Sequence, residues 1–270
     1  MFILSGFGDE ISPELNEQLD LLQGEGVLHL ELRGVWNKNV LDLTDAEAAR
    51  VKAELDRRGF GVSAIGSPIG KIGIDDPFEP HLARFRRALD LAEFFHAPYI
   101  RLFSFYVPEG QAAHYRAKVL AQMRALGEAA KGRKVILGIE NEHGLYGDTP
   151  ERALDLIKTL NSKQWTTVYD PCNYIMEGIR PFPQAFPLLL ETIGYLHVKD
   201  ADLATRTICV AGKGDGGIPE TLAALKKRGW SGFASLEPHL LIAGPSSGVS
   251  GPELFRGAIR AMQAIVSDLT

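Results

Sequence analysis

Eight short apolar segments, each followed by a longer amphipathic segment, run along almost the whole chain. Their spacing changes from the alternation typical of strands to the three- and four-residue period typical of helices. Each unit is too short to bury its own apolar face, so neighbouring units must share one core. The pattern predicts the α/β class and a closed (β/α)8 TIM barrel. The predicted strands cover residues 2–8, 27–33, 61–67, 99–105, 134–140, 165–170, 193–200 and 232–237.

The predicted helices begin and end at recognisable signals. Ser12, Thr44 and Thr149 offer side-chain oxygens to the free N–H groups of a first turn. Glycines at the far ends favour termination. The predicted helices cover residues 13–26, 44–59, 80–95, 112–132, 149–160, 182–192, 219–230 and 252–269.

No low-complexity tract or change of composition interrupts the chain, so we predict one domain over residues 1–270. An open doubly wound sheet is the main alternative fold. Such a sheet usually carries a glycine-rich phosphate loop after its first strand, and GFGDEIS lacks that spacing.

Composition and charge exclude several classes of function. A mean hydropathy of −0.04 and a charged fraction of 23% disfavour a membrane-spanning or disordered chain. The net charge of −5 argues against binding to nucleic acid or to an anionic membrane surface. The start MFILSGFGDE lacks the basic and apolar regions of a signal peptide, so we expect a cytoplasmic protein. Two cysteines are too few for a thiolate zinc site, so oxygen and nitrogen must hold any metal.

Strong polar side chains stand where the last four predicted strands end. Glu140, Asp170, His197 and Glu237 come from consecutive strands, and in a barrel the carboxyl ends of the strands carry the functional residues. Facing the barrel axis, three carboxylates would repel one another unless a cation lay among them. The sequence therefore predicts one divalent metal at this end of the barrel. The donor set suits Mn²⁺, Mg²⁺, Co²⁺ or Fe²⁺ and tolerates Zn²⁺.

Taken singly, each of these residues has a plainer interpretation. A glutamate at a strand end is often solvated, and a lone histidine is more often a hydrogen-bonded core residue than a ligand. Four such residues at equivalent positions of adjacent strands favour the metal site. Asp9 and Glu10, after the first strand, fit the N-cap of the first helix as well as a part of the site.

The order of these four residues, in the contexts GIENE, VYDPCN, LHVKD and SLEPHL, resembles the xylose isomerase-like TIM-barrel superfamily. This superfamily includes ketose 3-epimerases and inosose dehydratases. The resemblance implies that Glu140, Asp170, His197 and Glu237 hold one divalent metal, which the carbonyl and hydroxyl of a sugar would chelate. It also implies acid–base roles for Glu140 and Glu237. The family's histidine three residues after the aspartate is Asn173 here, which we place among the substrate contacts.

Endonuclease IV-type repair enzymes share this superfamily and need further histidines for a metal cluster. The third and fourth strand ends offer Ser67 and Ser104 instead, and the chain is acidic overall. We therefore expect a sugar or polyol partner and no nucleic acid. Barrels of this kind often pair, so a homodimer is compatible with the sequence, although no segment marks an interface.

The chemistry expected of such a site is proton transfer next to a chelated carbonyl. Loss of that proton leaves an enediolate, and its return on the other face completes an isomerisation or epimerisation. If a β-hydroxyl leaves instead, the enzyme is an inosose dehydratase-type lyase. Lys199 either donates a proton or binds an oxyanion, or it is a solvated lysine paired with Asp200. A non-catalytic sugar-binding barrel is a third alternative, against which the pair Glu140 and Glu237 counts.

Further residues near the strand ends are predicted to contact the substrate. Lys71 lies in the glycine-rich loop IGSPIGKIGIDD, which is placed to cover the substrate. Glu142 shares the face of Glu140, and His239 follows Glu237. Arg33, like Arg101, either holds a phosphate or hydroxyls or pairs with Glu31 and other carboxylates.

Overall fold

Eight parallel strands form a closed barrel in a computed structural model of the chain, which describes residues 1–241 and 248–269. Each strand pairs with the next one along the chain, and the last pairs with the first. The predicted (β/α)8 TIM barrel is therefore confirmed, and each predicted strand segment contributes to it. The strands are β1 (Phe2–Gly6), β2 (His29–Leu32), β3 (Gly61–Gly66), β4 (Tyr99–Leu102), β5 (Ile136–Glu140), β6 (Trp165–Tyr169), β7 (Ile193–Val198) and β8 (Gly232–Leu236).

Helices connect the strands. They are α1 (Leu15–Gly24), α2 (Asp45–Arg58), α3 (Phe78–Phe95), α4 (Ala112–Ala129), α5 (Pro150–Leu160), α6 (Pro171–Met176), α7 (Phe186–Leu189), α8 (Ile218–Lys227) and α9 (Gly251–Asp268). The predicted helix over 182–192 is wrong in extent: it is a π turn at Pro181–Ala185 followed by the single turn of α7. Pro183 and Pro187 lack N–H donors, which limits regular helix there. Helix α6 is an addition to the predicted set.

The predicted helix starts are confirmed at two of three positions. Thr44 and Glu47 form a reciprocal capping box at the start of α2, and Thr149 accepts a hydrogen bond at the start of α5. Ser12 lies too early to cap α1, whose N-cap position is Glu14. Ser12 Oγ instead accepts a hydrogen bond from the N–H of Glu14 at 3.1 Å, which shapes the approach to the helix.

The apolar core has an outer and an inner part. The outer part lies between the barrel and the helices and contains most of the buried leucine, isoleucine and valine side chains. The inner part is a separate small cluster that includes Val168 and Tyr195. Because side chains alternate along a strand, Val168 and Asp170 face the same side of β6, while Tyr169 between them packs in the outer core.

Two single-residue bulges adjust the barrel register. Ser63 is an extra residue of β3 opposite β2, and Gly194 is an extra residue of β7 opposite β6. Position 194 requires glycine, because a Cβ atom there would lie 2.3 Å from Thr166 Oγ1. A bulge changes which following residues face the axis. The bulge at Gly194 therefore determines the direction of Tyr195 and His197.

Short antiparallel ribbons extend the wall above the barrel and were not predicted. The first joins Gly34–Val35 to Lys38–Asn39 after β2, and the second joins Asp200–Ala201 to Ile208–Cys209 after β7. Both residues of the first turn, Trp36 and Asn37, have positive φ, as a tight two-residue hairpin requires.

The loop after β3, predicted to cover the substrate, is tied to the segment after β4. Phe103 and Phe105 donate backbone hydrogen bonds to the carbonyls of Ile69 and Gly70 at 2.7 and 2.9 Å. Gly70 has φ of +92°, and a Cβ atom there would lie 2.1 Å from the Phe103 oxygen. The loop is therefore a fixed part of the rim. Within the described residues, no helix is both long and apolar enough to span a bilayer.

His81, on α3, holds this loop by a hydrogen bond that makes the stability of the protein depend on pH. Its Nε2 accepts a hydrogen bond from the N–H of Gly70 at 2.7 Å, which requires a neutral ring. Burial, helped by the positive charge of Arg84, lowers the pKa of His81 from 6.5 to about 4. The stabilisation is therefore present above pH 6.5 and is lost as the pH falls toward 4, because the unfolded chain takes up the proton first.

We expect the free energy of unfolding to fall by roughly 2 kcal/mol between pH 7 and pH 5 through this residue. Urea denaturation at both pH values measures the change. His81→Gln is expected to show that much less pH dependence than the unaltered protein. His114→Gln, an exposed histidine of α4, serves as the control and should keep the full pH dependence. An unchanged pH dependence in His81→Gln would contradict the role of this hydrogen bond.

Candidate active site at the barrel mouth

A cavity of about 840 Å³ opens at the carboxyl ends of the strands. This is the end of the barrel at which enzymes of this architecture place their catalytic groups. The structure brings seven of the predicted site residues to its surface. They are Arg33, Lys71, Glu142, Asn173, Lys199, Glu237 and His239.

Beneath this surface, four predicted residues meet in one buried cluster. Glu140, Asp170, His197 and Glu237 each offer an oxygen or nitrogen atom, and these atoms all lie within 4.8 Å of one another. All four residues are buried. The spacing and the donor types are those that a divalent cation can bridge.

Strand ends explain why these residues converge. Glu140 is the last residue of β5, while Asp170 directly follows β6 and Glu237 directly follows β8. Asp170 also caps α6, since its Oδ1 accepts a hydrogen bond from the N–H of Asn173 at 2.9 Å. One oxygen of Asp170 therefore supports the helix, and its Oδ2 is left for the cluster.

The imidazole of His197 lies among these carboxylates. Its Nδ1 is 3.0 Å from Glu140 Oε1 and 3.5 Å from Glu237 Oε2. Its Nε2 is 3.3 Å from the carboxylate of Glu31 on the opposite edge of the ring. Burial lowers the pKa of His197, but the charges of Glu140 and Glu31 outweigh burial and raise it well above the ordinary value.

Lys199 joins the cluster and does not pair with Asp200. Its Nζ lies 2.8 Å from Asp170 Oδ2 and 3.3 Å from Glu237 Oε2. Burial opposes its charge, but Asp170 and Glu237 outweigh burial and raise the pKa of Lys199. The interpretation of Lys199 as a solvated partner of Asp200 is therefore wrong. Asp200 instead accepts hydrogen bonds from the backbone N–H groups of Ala201, Gly212, Gly214 and Gly216.

Two buried arginines hold the two glutamates of the cluster. Arg33 Nη1 donates to Glu237 Oε1 at 2.9 Å, and its Nε donates to Asp9 Oδ2 at 2.7 Å. Arg101 Nη1 lies 3.2 Å from Glu140 Oε2. Of the two alternatives for Arg33, the structure shows the pairing with carboxylates, and contact with a substrate stays a prediction. Asp9 thus supports the site and does not cap α1.

These cations keep both glutamates ionised. Burial raises the pKa of Glu140, but His197 and Arg101 outweigh it and lower the pKa to about 2. Burial likewise opposes ionisation of Glu237, and Lys199 with its other cationic neighbours brings the pKa well below the ordinary value. Asp170 differs, because burial and the negative charge of Glu140 raise its pKa to about 6 despite Lys199.

The predicted substrate contacts surround the cluster in different ways. Asn173 Nδ2 donates to Glu140 Oε1 at 3.2 Å and so lies beside the cluster. Lys71 pairs with Glu142 at 2.7 Å, and its ammonium lies 4.3 Å from the centre of the Phe103 ring. Asn173, Lys71 and Glu142 all line the cavity.

Glu10 holds His239 through its carboxylate. The backbone N–H of His239 donates to Glu10 Oε2 at 2.9 Å, and its Nδ1 lies 2.7 Å from Glu10 Oε1. Its Nε2 is 3.9 Å from Glu237 Oε1. Glu10 therefore positions a cavity residue and does not cap α1.

Pairing of Arg101 with Glu31 and other carboxylates, and a place for Glu10 in the site, were each one of two predicted alternatives, and the structure shows both. The contact of Glu31 with His197 was not predicted. Glu31 had a usable signal, since it is a charged residue between Leu30 and Leu32 in the middle of an apolar strand. Arg101 has a similar signal in β4. Nothing in the sequence around Glu10 indicates its contact with a residue more than two hundred positions away.

The donors present fit a divalent metal. Glu140 Oε2 and Asp170 Oδ2 are buried and accept no hydrogen bond from the residues that the structure describes. Buried oxygens of this kind require a cation nearby. In the structure Arg101 supplies that charge to Glu140 Oε2, and Lys199 supplies it to Asp170 Oδ2.

Comparison with known proteins by sequence supports the architecture. A family model described as xylose isomerase-like TIM barrel matches residues 20–264. Among curated proteins, none matches the chain in sequence.

Solved structures of similar fold cover nearly the entire chain. A xylose isomerase-like TIM barrel protein from Mycobacterium smegmatis in complex with magnesium is 17% identical, with a TM-score of 0.74, covering 100% of this chain and 97% of the other. The probable 3-DHS dehydratase AsbF from Bacillus anthracis is 16% identical, with a TM-score of 0.76 and coverage of 97% and 99%. The D-allulose 3-epimerase from Methylomonas sp. in complex with D-allulose is 14% identical, with a TM-score of 0.72 and coverage of 98% and 96%. At these identities the likeness shows the fold alone.

Replacing Lys199 by methionine is expected to lower the free energy of unfolding by about 3–5 kcal/mol in the presence of a chelator, because Asp170 and Glu237 then lose their shared cation. Urea denaturation measures the loss. Lys213→Met removes an exposed lysine outside the cluster and should leave the stability unchanged. A loss below about 1 kcal/mol in Lys199→Met, the value of a surface pair, would contradict the buried pairing.

Proposed function

Because the chain belongs to the xylose isomerase-like TIM barrel family, we propose that it is a divalent-metal-dependent isomerase or epimerase of a ketose or a related keto-polyol. The observation that carries this proposal is the buried cluster of Glu140, Asp170, His197 and Glu237 at the floor of the mouth cavity. A D-allulose 3-epimerase shares the fold and binds a sugar, which makes this substrate class the first to test.

Glu140, Asp170, His197 and Glu237 would hold the metal. When bound, a divalent cation polarises the substrate carbonyl and stabilises the negative charge that develops on its oxygen. Carboxylate-rich sites favour hard cations such as Mn²⁺ and Mg²⁺, accept Co²⁺ or Fe²⁺, and tolerate Zn²⁺. A protein of the same fold is complexed with magnesium, which is among the cations that a carboxylate-rich donor set favours.

The protein's own side chains would move the proton. Glu140 and Glu237 are ionised carboxylates, so either can accept a proton from the carbon next to the carbonyl. The other residue of the pair would take up a proton from solvent and deliver it to the opposite face of the enediolate, which gives the epimer, while the first residue would release its proton to solvent. Arg101 and Arg33 hold these carboxylates in place. Asn173, Glu142, Lys71 and His239 would bind the substrate hydroxyls from the cavity wall.

A lyase of inosose dehydratase type is the second candidate, and Lys199 is the observation that favours it. Its ammonium reaches the cluster, where it can donate a proton to a leaving hydroxyl or bind an oxyanion. A probable dehydratase is among the proteins that share this fold. The two candidates use the same initial proton abstraction and differ in whether the β-hydroxyl leaves.

Deuterium exchange separates these candidates. The Mn²⁺-loaded protein is incubated in D₂O with a panel of ketoses and inososes. We expect an epimerised product with one carbon-bound deuterium, because the carboxyl group that returns the proton exchanges its hydrogen with the solvent. Proton NMR and mass spectrometry measure the exchange, and ultraviolet absorbance follows any enone. Growth of an enone without epimer supports the lyase. Neither signal across the panel would reject both reactions for these compounds, and Glu237→Gln supplies the inactive control.

Metal content tests the proposed ligands independently of substrate. Glu140→Gln and Asp170→Asn are each expected to weaken Mn²⁺ binding by more than about 100-fold, because each removes a charged ligand. A loss of about 100-fold is the upper range for residues that only orient a ligand. Titration calorimetry and elemental analysis after dialysis measure the affinity and occupancy. Glu142→Gln is the matched control, since it removes a carboxylate of the same cavity from outside the cluster. Unchanged metal content in both ligand variants would reject the ligand set.

A further inference from the structure

We propose that Glu31 is a positioning residue, which holds the ring of His197 so that its Nδ1 faces the other three ligands. The inference rests on the metal centre of the proposed function and assigns a role to a residue outside that ligand set. It concerns the orientation of a side chain and not the reaction itself.

Glu31 lies inside β2 and is completely buried. One oxygen of its carboxylate accepts a hydrogen bond from the Tyr195 hydroxyl at 2.7 Å, and the carboxylate lies 3.3 Å from His197 Nε2. Tyr195 and His197 are two positions apart on β7, so both face the same side of that strand. A single carboxylate therefore joins two successive inward-facing residues of β7.

The surrounding contacts leave Glu31 little freedom to move. Ser63, the bulge residue of β3, lies 2.9 Å from the Tyr195 hydroxyl and 2.6 Å from Ser5 Oγ. The Ser63 hydroxyl therefore holds the Tyr195 hydroxyl, which in turn donates to Glu31. Arg101 Nε lies 3.9 Å from Glu31 Oε1 and supplies the nearest positive charge besides His197. The network runs from β1 through β3 and β7 to β2 across the barrel interior.

The position of Glu31 determines which nitrogen of His197 reaches the cluster. With Nε2 facing Glu31, the nitrogen directed at Glu140 and Glu237 is Nδ1. A carboxylate that accepts the N–H of one ring nitrogen leaves the lone pair of the other available to a metal, and it prevents the ring from turning. An unheld ring would rotate, and the ligand atom would leave the cluster.

The experiment uses Mn²⁺ alone as the probe for affinity and Mg²⁺ for spectroscopy. We expect Glu31→Leu to weaken Mn²⁺ binding by about 10–100-fold, because the ring loses the acceptor that holds it. Glu31→Gln should retain most of the affinity, since its amide oxygen can accept from Nε2 while its NH₂ group donates to the Tyr195 oxygen. Titration calorimetry gives the affinities, and circular dichroism confirms that each variant is folded.

A spectroscopic measurement separates positioning from a general structural role. With Mg²⁺ bound, the ¹⁵N chemical shifts of His197 are expected to show a protonated Nε2 in the unaltered protein and in Glu31→Gln. Glu31→Leu is expected to lose this signature. Thr167→Val is the matched control: it removes a buried hydroxyl of β6 that contacts Thr192 and neither Glu31 nor His197, so both the shifts and the affinity should stay unchanged.

The outcomes distinguish this proposal from the proposed reaction. Unaltered Mn²⁺ affinity and ¹⁵N shifts in Glu31→Leu would overturn the role of Glu31, even in a protein that epimerises its substrate. Equal losses in Glu31→Leu and Thr167→Val would likewise overturn it, since they would reflect stability alone. Mn²⁺ binding that depends on Glu31, without turnover of any tested sugar, supports the positioning role and counts against the reaction. An unaltered protein that binds no Mn²⁺ would overturn both.

Discussion

The mutual repulsion of buried carboxylates is the constraint on which the mouth of this barrel depends. Two like charges about 4 Å apart repel by about 4 kcal/mol at the effective dielectric of a protein site. Four carboxylates, from Glu31, Glu140, Asp170 and Glu237, lie around one imidazole with almost no exposure to water. Each therefore needs positive charge from a neighbouring strand. Arg33 from the end of β2, Arg101 from β4 and Lys199 from the end of β7 provide it.

The barrel and the central cluster were predictable because both follow from short-range patterns. Alternation of apolar and polar residues identifies each strand, and the lengths of the helical segments identify the parallel connections. In a parallel barrel all strands end at the same rim, so polar residues at strand ends must converge there. Glu140, Asp170, His197 and Glu237 could therefore be brought together from their positions alone.

The supporting residues could not be predicted to the same extent, because their contacts depend on register and not on period. Tyr195 meets Glu31 only because Ser63 and Gly194 are bulges, and a bulge is not visible in an alternating pattern. Lys199 has an acidic neighbour in sequence, Asp200, but backbone N–H groups already satisfy that carboxylate. The two ribbons are too short to leave a periodic signal. Pairings across the barrel therefore do not follow from the sequence pattern.

Asp170 is shared between two tasks, and this couples the floor of the cavity to its side. One oxygen caps α6 and the other faces Lys199 and the cluster. The first and last turns of α6 carry Cys172 and Met176, which form an apolar stretch of the cavity wall. The helix cannot shift without pulling on the carboxylate that begins it. A displacement of α6 at Met176 would therefore also change the position of the Asp170 carboxylate in the cluster.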